Sequence, residues 1–519
     1  MKGAVAAGHP LTARAGARIL EEGGNAVDAC IAAGFVSWVA ESPLTGPGGG
    51  GFMLVHRARD RSDRLLDFFV AVPGRGLEPG ESGEMVAVDV PFAEHATQVF
   101  HIGGASCAVP GSVAGLALAH RRYARLPWSE LLRPAAEAAR GGVELNAAQA
   151  FLHRILDPVL RLEEEGRRIY GAERALREGE RIVMADVADT LEWLAAEGPD
   201  VFYRGELAHR ISAAVRRAGG CITEGDLAAY RVIQRRPVRA AYRGAEFVSN
   251  PPPSSGGLLL AFALRVLDAL GSLPRRDGER LALLTEVMRE ATRARGGGFA
   301  AGLHRGGATR RLLADARIER TTATVRSGLR ATAQEIAGAP STTHISAVDG
   351  RGNAASLSAS TGCGSGVVAP GTGVQLNNML GEEDLNPAGR AARVGQRLTS
   401  MMAPSLVLAG GRPRLVVGSA GSVRLRAAIL QIVINVVDGG MDVREAIEAP
   451  RVHLEDGVLQ LEGGIDPAVA DELEAAGYKV RRWEGRNLYF GGASAVAFRE
   501  DGGLEAAGDP RRGGAGVVV

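Results

Sequence analysis

Ser341-Thr342-Thr343-His344 opens the stretch of this chain best suited to chemistry. To its left, roughly 303–340, lies an Arg-rich segment with little apolar periodicity, which reads as loose chain. To its right, small and β-branched residues alternate through Ile345-Ser346-Ala347-Val348, turn at Asp349-Gly350-Arg351-Gly352-Asn353, and resume as Ala354-Ala355-Ser356-Leu357-Ser358-Ala359-Ser360. That pattern predicts two strands joined by a Gly-containing turn. A Thr at the first residue of a buried strand, preceded by loose chain, suits an N-terminal nucleophile. If the bond before Thr342 is cut, its hydroxyl can attack a carbonyl while its own α-amine takes the proton. The plainer reading is strand and turn chemistry, because Thr is common where strands begin.

Few other groups could act beside it. Gly418-Ser419-Ala420-Gly421-Ser422 falls between a strand and a long helix. Backbone N–H groups at a helix start can hold a developing oxyanion, or the segment can be no more than a tight turn. Leu398-Thr399-Ser400-Met401-Met402-Ala403-Pro404 offers hydroxyls on a loop before a strand. His344 shares a strand face with Thr342 by alternation, and reads more readily as a hydrogen-bonded His than as a base. There is no G-x-S-x-G elbow and no H-E-x-x-H, and the ten His are scattered, so neither a metal nor a cofactor is expected.

Composition narrows the class. The chain has 519 residues, 46% hydrophobic and 23% charged, as in a soluble globular protein. A net charge of +1 argues against nucleic acid or a polyanion as the main partner. The only lysines are Lys2 and Lys479, which excludes a Walker phosphate loop and leaves no plausible Schiff-base lysine. Cys30, Cys107, Cys221 and Cys363 are far apart, with no C-x-x-C; Cys30 sits in a helical apolar pattern and reads as core. No signal-peptide pattern follows Met1-Lys2 and no long apolar run exists, so no membrane span is expected and the cytoplasm is the expected location.

Elements must hold these groups in place. Residues 3–7 read as a strand and Leu11 to Glu22 as a helix, closed by Gly23-Gly24. Asn25 is a good N-cap for a helix from Ala26 to about Val39. Gly48-Gly49-Gly50-Gly51-Phe52 follows a helix and enters a strand, so it reads as backbone packed where no side chain fits, not as a dinucleotide loop. Leu65 to Val72 reads as its paired strand. Helical patterns follow at Ser112–Tyr123, Trp128–Arg140 and near 147–164, 188–197, 205–218 and 223–230. Val232 to Ser249 reads as extended, then helices at about 258–270 and 279–294. The last third is strand-rich, with a hairpin over Ser405–Ala409 and Arg414–Val417 and a helix at about 423–438. Further strands are expected at 451–454, 457–461, 478–483, 493–499 and 503–507. Strands gathered around Thr342 with helices outside predict sheets covered by helices.

These residues resemble the gamma-glutamyltranspeptidases, which are N-terminal-nucleophile hydrolases. The resemblance is carried by Gly23-Gly24-Asn25-Ala26-Val27-Asp28-Ala29, Gly48–Phe52, Val109-Pro110-Gly111-Ser112-Val113-Ala114-Gly115, Pro252–Gly257 and Thr342-Thr343-His344. It continues through Gly364-Ser365-Gly366, Leu376-Asn377-Asn378, Met402-Ala403-Pro404, Gly418–Gly421 and Gly508-Asp509-Pro510-Arg511. It implies an α+β fold, a four-layer αββα sandwich, made as a proenzyme cut between Ser341 and Thr342. A large chain 1–341 and a small chain 342–519 would stay associated as one compact unit. It implies that Thr342 attacks a γ-glutamyl amide, that Ser360 supplies a second hydroxyl, and that the backbone of Gly421 and Ser422 holds the oxyanion. The substrate-amine acid maps to Glu382, with Asp384 nearby, and the family's paired serines map onto Thr399-Ser400 or Ser400-Met401.

Departures from the family pattern concern the substrate. Phe69 stands where glutamate-binding members carry an Arg that grips the α-carboxylate; Arg75 is close enough in sequence to be considered as a substitute. After Ser360 the chain is about two residues short and reads Thr361-Gly362-Cys363, where the family usually has an Asn. The main expectation is a self-processing γ-glutamyl hydrolase/transferase acting on glutathione or a related small amide. The alternatives are a glutaryl or cephalosporin acylase of the same fold, favoured by Phe69, and an unprocessed member without activity.

Overall fold

The computed structural model describes residues 2–78, 80–93, 96–328, 342–382, 385, 392–499 and 501–519. Two antiparallel sheets are stacked at its centre. The first has seven strands in the order Ala515–Val518, Gly3–Ala7, Thr343–Asp349, Ala354–Ser360, Gly50–Arg57, Ser62–Phe68 and Ile233–Arg235. The second has six: Leu504–Gly508, Gly492–Phe498, Arg412–Ala420, Ser405–Ala409, Ala245–Ser249 and Val238–Tyr242. Helices Pro10–Glu21 and Ala26–Ala40 cover the outer face of the first sheet, and Gly256–Leu270 and Arg424–Val437 cover the second. The layers are therefore helix, sheet, sheet, helix, as the resemblance implied.

Each layer follows from its residues. Asn25 caps Ala26–Ala40 through a reciprocal capping box with Asp28. That helix is apolar on every side and buried along its whole length, because it is wedged between the first sheet and the helices Pro10–Glu21 and Trp128–Gly141. Alternation along Thr343–Asp349 sends Ile345 and Ala347 into the core under that helix. It sends Val348 the other way, to meet Phe52, Leu54, Leu406, Val416 and Val496 between the sheets. The segments before and after Thr342 interleave in both sheets: Ala6 pairs with Ser346, and Ser358 pairs with Phe52. Neither segment has a core of its own.

Three expectations are corrected. The Arg-rich segment is not loose as far as Arg326: it forms the helices Phe299–Arg305, Ala308–Leu312 and Asp315–Arg326. Its sparse apolar residues Leu303, Leu312, Ile318 and Val325 are enough to seat those short helices on the second helical core. Residues 329–341, including Ser341, lie outside the described residues. The strand expected over Leu65–Val72 runs instead from Ser62 to Phe68, because the Asp67 carboxylate accepts from the Phe69 N–H at 3.1 Å and turns the chain out of the sheet. The helix expected near 147–164 is broken into Ala147–Ile155, Asp157–Leu160 and Glu164–Tyr170, since Pro158 has no N–H to continue it.

Candidate active site

Thr342 stands at the head of the strand Thr343–Asp349 and is 3% exposed. It lines a cavity, partly open to solvent, together with Ser360, Ser422, Glu382 and Ser400. The rest of the wall is apolar and includes Phe69, Met379, Leu385, Met401 and Leu425. The expected nucleophile, second hydroxyl, oxyanion turn and substrate acid thus meet in one place although they span 81 residues of sequence from 342 to 422.

Ser360 is the last residue of the strand beside Thr343–Asp349, and its Oγ accepts from the N–H of Gly362 at 2.9 Å. The glycine loop is packed directly behind it. A Cβ on Gly49 would lie 2.4 Å from the Ser360 carbonyl, and one on Gly51 2.2 Å from the Ser358 carbonyl. Backbone therefore lies where a side chain would push the Ser360 strand away, which is what the sequence reading of that loop required.

The glycine turn follows the strand Arg412–Ala420 and enters the helix Arg424–Val437. Gly421 has φ +122 and Ser422 has φ +52, so the chain reverses through a conformation that L side chains seldom adopt. Gly418 plays a different part from the one expected of it. It lies within the strand, and a Cβ there would sit 2.2 Å from the His344 ring, so Gly418 makes room for the imidazole.

His344 is hydrogen-bonded between the sheets. Its Nδ1 is 2.8 Å from Ser358 Oγ, and its Nε2 is 3.0 Å from Ser346 Oγ. Ser346 Oγ donates to the Ser494 carbonyl at 3.0 Å, and Ser356 Oγ accepts from the Ser405 N–H at 3.1 Å, so the seam ties the two sheets together. Burial depresses the His344 pKa to about 3, and the ring is neutral.

Three buried residues that sequence reasoning missed hold the site from behind. Arg512 Nη1 donates to the Thr342 carbonyl at 3.2 Å. Burial lowers its pKa to about 10, which leaves it charged. Glu41 accepts from Thr12 Oγ1 at 2.9 Å and from Thr343 Oγ1. Burial raises its pKa, opposed by those two hydrogen bonds and by the nearby Arg512 charge. Arg397 donates to the carbonyls of Phe69 and Arg231 and to Tyr230 Oη, and pairs with Asp67. Arg512 sits beside Gly508-Asp509-Pro510-Arg511 and Glu41 beside a Ser-Pro step. That proximity is the only sequence signal for either.

The substrate-side expectations divide. Glu382 and Ser400 face the cavity, and Ser400 Oγ accepts from the Met402 N–H at 3.0 Å. Thr399 turns away and donates to the Leu385 carbonyl at 2.7 Å, which selects Ser400-Met401 over Thr399-Ser400 as the pair facing the cavity. Phe69 is fully buried in the wall and stacks on Phe52, ring centroids 5.4 Å apart. Arg75 does not replace the missing guanidinium. It is exposed, its backbone N–H goes to Asp226, and its side chain lies against Gly225 and Gly395. Among the described residues, no Lys or Arg lines the cavity. Asp384 lies outside the described residues.

Two stacked antiparallel sheets between helices, with a strand-initial Thr opening onto the cleft at one end, define the N-terminal-nucleophile hydrolase class. The gamma-glutamyltranspeptidase family model matches residues 12–519, and the chain belongs to that family of enzymes. It is 34% identical to the Acylase ACY 1 proenzyme of Pseudomonas sp. (strain SE83), over 100% of this chain and 94% of that protein. It is 33% identical to the glutathione hydrolase proenzyme of Escherichia coli (strain K12), over 98% of this chain and 90% of that protein. The solved cephalosporin acylase from Bacillus halodurans superposes with a TM-score of 0.86 at 26% identity, covering 99% of this chain and 95% of that one. Among the described residues, no helix is long and apolar enough to cross a membrane.

Proposed function

We propose that this chain cuts itself between Ser341 and Thr342 and then acts as a hydrolase/transferase of γ-glutamyl amides, glutathione among them, through a threonyl acyl-enzyme. Cleavage frees the Thr342 α-amine. Thr342 Oγ then attacks the substrate carbonyl carbon as its proton passes to that amine, and the C–O bond forms. The oxyanion of the tetrahedral intermediate is held by the N–H groups of Gly421 and Ser422, a contact made only as charge develops. Collapse breaks the C–N bond, and the departing amine takes the proton from the α-ammonium. Water or an acceptor amine repeats the sequence on the Thr342 ester and releases the acyl group. Ser360 orients the nucleophile, and Glu382 and Ser400 contact the acyl donor. The observation that carries this reading is the convergence of Thr342, Ser360, Ser422, Glu382 and Ser400 on one cavity.

Purified protein is expected to run as two chains, the smaller beginning at Thr342, and to release amine from a γ-glutamyl anilide. The Thr342→Ala variant is expected to run as one chain without activity. A wild-type chain that stays whole and active would overturn the reading.

A second reading has its own support: the same nucleophile acting on a glutaryl-type acyl group. Phe69 fills the wall where a carboxylate grip would sit, and no cation lines the cavity among the described residues. Glutaryl and γ-glutamyl anilides compared side by side decide between the two, since only the second needs both an amine and an α-carboxylate contact.

A further inference from the structure

The helix Ser112–Tyr123 carries Ala114, Ala117, Leu118 and Arg121 at spacings of three and four residues, which sets them on one face. That face is one wall of a cleft of about 440 Å³, partly open to solvent and of the size of a small-molecule site. The turn Pro199–Phe202 and the two residues after it, Tyr203 and Arg204, supply the second wall. The chain leaving the helix Glu224–Ala229 through Tyr230, Arg231 and Val232 supplies the third. Among the described residues, none lines both this cleft and the catalytic cavity.

The floor of the cleft is apolar. Tyr203 and Tyr230 are buried, with their rings nearly parallel and centroids 5.8 Å apart. Both hydroxyls are spent on backbone: Tyr203 Oη accepts from the Ala114 N–H at 3.1 Å and donates to the Pro110 carbonyl at 3.3 Å, and Tyr230 Oη donates to the Phe69 carbonyl at 2.7 Å. What the two tyrosines leave for the cleft is ring hydrocarbon. The charged part of the lining is lopsided, with Arg121, Arg204 and Arg231 against a single carboxylate, Asp200. Arg231 is held in place by Nη1, which donates to the carbonyls of Ala228 at 2.8 Å and Tyr230 at 2.6 Å, so Nε and Nη2 are left to donate elsewhere. Arg121 and Arg204 are exposed, and among the described residues neither guanidinium makes a hydrogen bond or ion pair within the protein. Guanidinium groups grip carboxylates and phosphates through paired N–H donors. Water finds few partners on the hydrocarbon floor.

We propose that this cleft binds a small organic dianion with an apolar body. Arg121, Arg204 and Arg231 hold the anionic groups, whose two charges match the excess of three guanidinium groups over one carboxylate. The body lies against Leu118, Val232 and the Tyr203 and Tyr230 rings. The proposal does not depend on the reading of the catalytic cavity.

Calorimetric titration of the processed protein at low salt tests it, with phenyl phosphate as a dianion charged at one end and isophthalate as a dianion charged at two. Inorganic phosphate serves as the charge without a body, and benzyl alcohol as the body without a charge. Saturable binding of at least one of the two dianions is expected at one per molecule, with both controls at least about tenfold weaker. The tighter of the two shows whether the guanidinium groups meet on one anionic head or on two. Arg121→Gln and Arg204→Gln should each weaken binding about fivefold or more, and together abolish it, with thermal midpoints kept because neither side chain is bonded into the fold. Asp200→Asn removes the opposing carboxylate and should tighten binding, a gain that a folding defect does not mimic. The proposal is overturned if no saturable heat appears, if inorganic phosphate binds as tightly as either dianion, if the double arginine variant binds unchanged, if Asp200→Asn fails to tighten binding, or if a crystal grown with the tighter dianion shows only ordered water in the cleft.

Discussion

Arg512 donates from Nη1 to the carbonyl oxygen of Thr342 at 3.2 Å, across 170 residues of chain. The strand Thr343–Asp349 begins one residue later, so this contact fixes the peptide that leads out of the proposed nucleophile. Glu41 fixes the next side chain along, through Thr343 Oγ1, and the Arg512 charge opposes the rise that burial imposes on its pKa.

Arg512→Lys keeps a charge but cannot reproduce the planar donor geometry. Loss of one charge-assisted hydrogen bond in a buried site predicts a fall of about 2 kcal/mol in stability. The kcat for anilide hydrolysis is expected to fall at least about tenfold, because a nucleophile misplaced by a fraction of an ångström loses its attack geometry. Thermal midpoints and steady-state rates, measured once the two-chain form has been verified, check both. An unchanged kcat would remove Arg512 from any positioning role.

Phe69→Arg places a guanidinium in the wall that holds Thr342 and Glu382. The ratio of kcat/KM for γ-glutamyl over glutaryl anilide is expected to rise about tenfold or more, since only the former presents an α-carboxylate to a bidentate donor. Stability is expected to drop with loss of the Phe52 stack, so the ratio, not either rate alone, is the quantity to read.

The glycine turn separates conformation from chemistry. Ser422 holds φ +52, and a non-glycine residue there costs about 1 kcal/mol, so Ser422→Gly is expected to gain about that much stability while keeping its N–H. Gly421 holds φ +122 and its Cβ would meet Gly491 Cα at 3.1 Å, so Gly421→Ala shifts the turn. A fall of about 10²–10³ in kcat is expected from a misplaced oxyanion donor. Denaturation curves and single-turnover rates distinguish the two variants.

Stability is expected to fall on mild acidification. Burial lowers the pKa of His344 to about 3 and of His153 to about 4, against 6.5 for an unfolded His. Between those folded values and 6.5 the unfolded chain binds protons that the folded chain does not, so stability rises with pH in that window and drops as pH falls through it. Each buried His contributes a loss of about 2 kcal/mol by roughly pH 5. Glu41 acts with the opposite sign: its raised pKa stabilises at low pH and that contribution is lost as pH rises through the folded value. Thermal midpoints of wild type and His153→Leu between neutral pH and pH 5 measure the slope. The variant, lacking one buried imidazole, should lose less.

Much of this was legible because it is local. Asn25 and Asp28 cap a helix three residues apart, Asp349–Asn353 turns a hairpin, and the alternation around Thr342 gives a strand whatever else surrounds it. The failures are equally physical. The Arg-rich segment carries too few apolar residues to show a period, yet one burial per turn or two suffices where a core waits to receive it. The closing strand Ala515–Val518 was missed because Gly514-Ala515-Gly516 has no strand propensity; it forms by adding to the edge of Gly3–Ala7.

From residue order alone came the family, the layered architecture and the threonine on which the proposed chemistry rests, since motifs and short-range periodicity survive in a linear string. Only the tertiary structure decided which side chains face the cavity. It turned Ser400 in and Thr399 out, drew Arg75 to the surface, set Phe69 in the wall, and brought Glu41 and Arg512 up behind Thr342. Those outcomes depend on contacts between separate segments, from Thr399 with Leu385 to Glu41 with Thr343, whose energies no local pattern records.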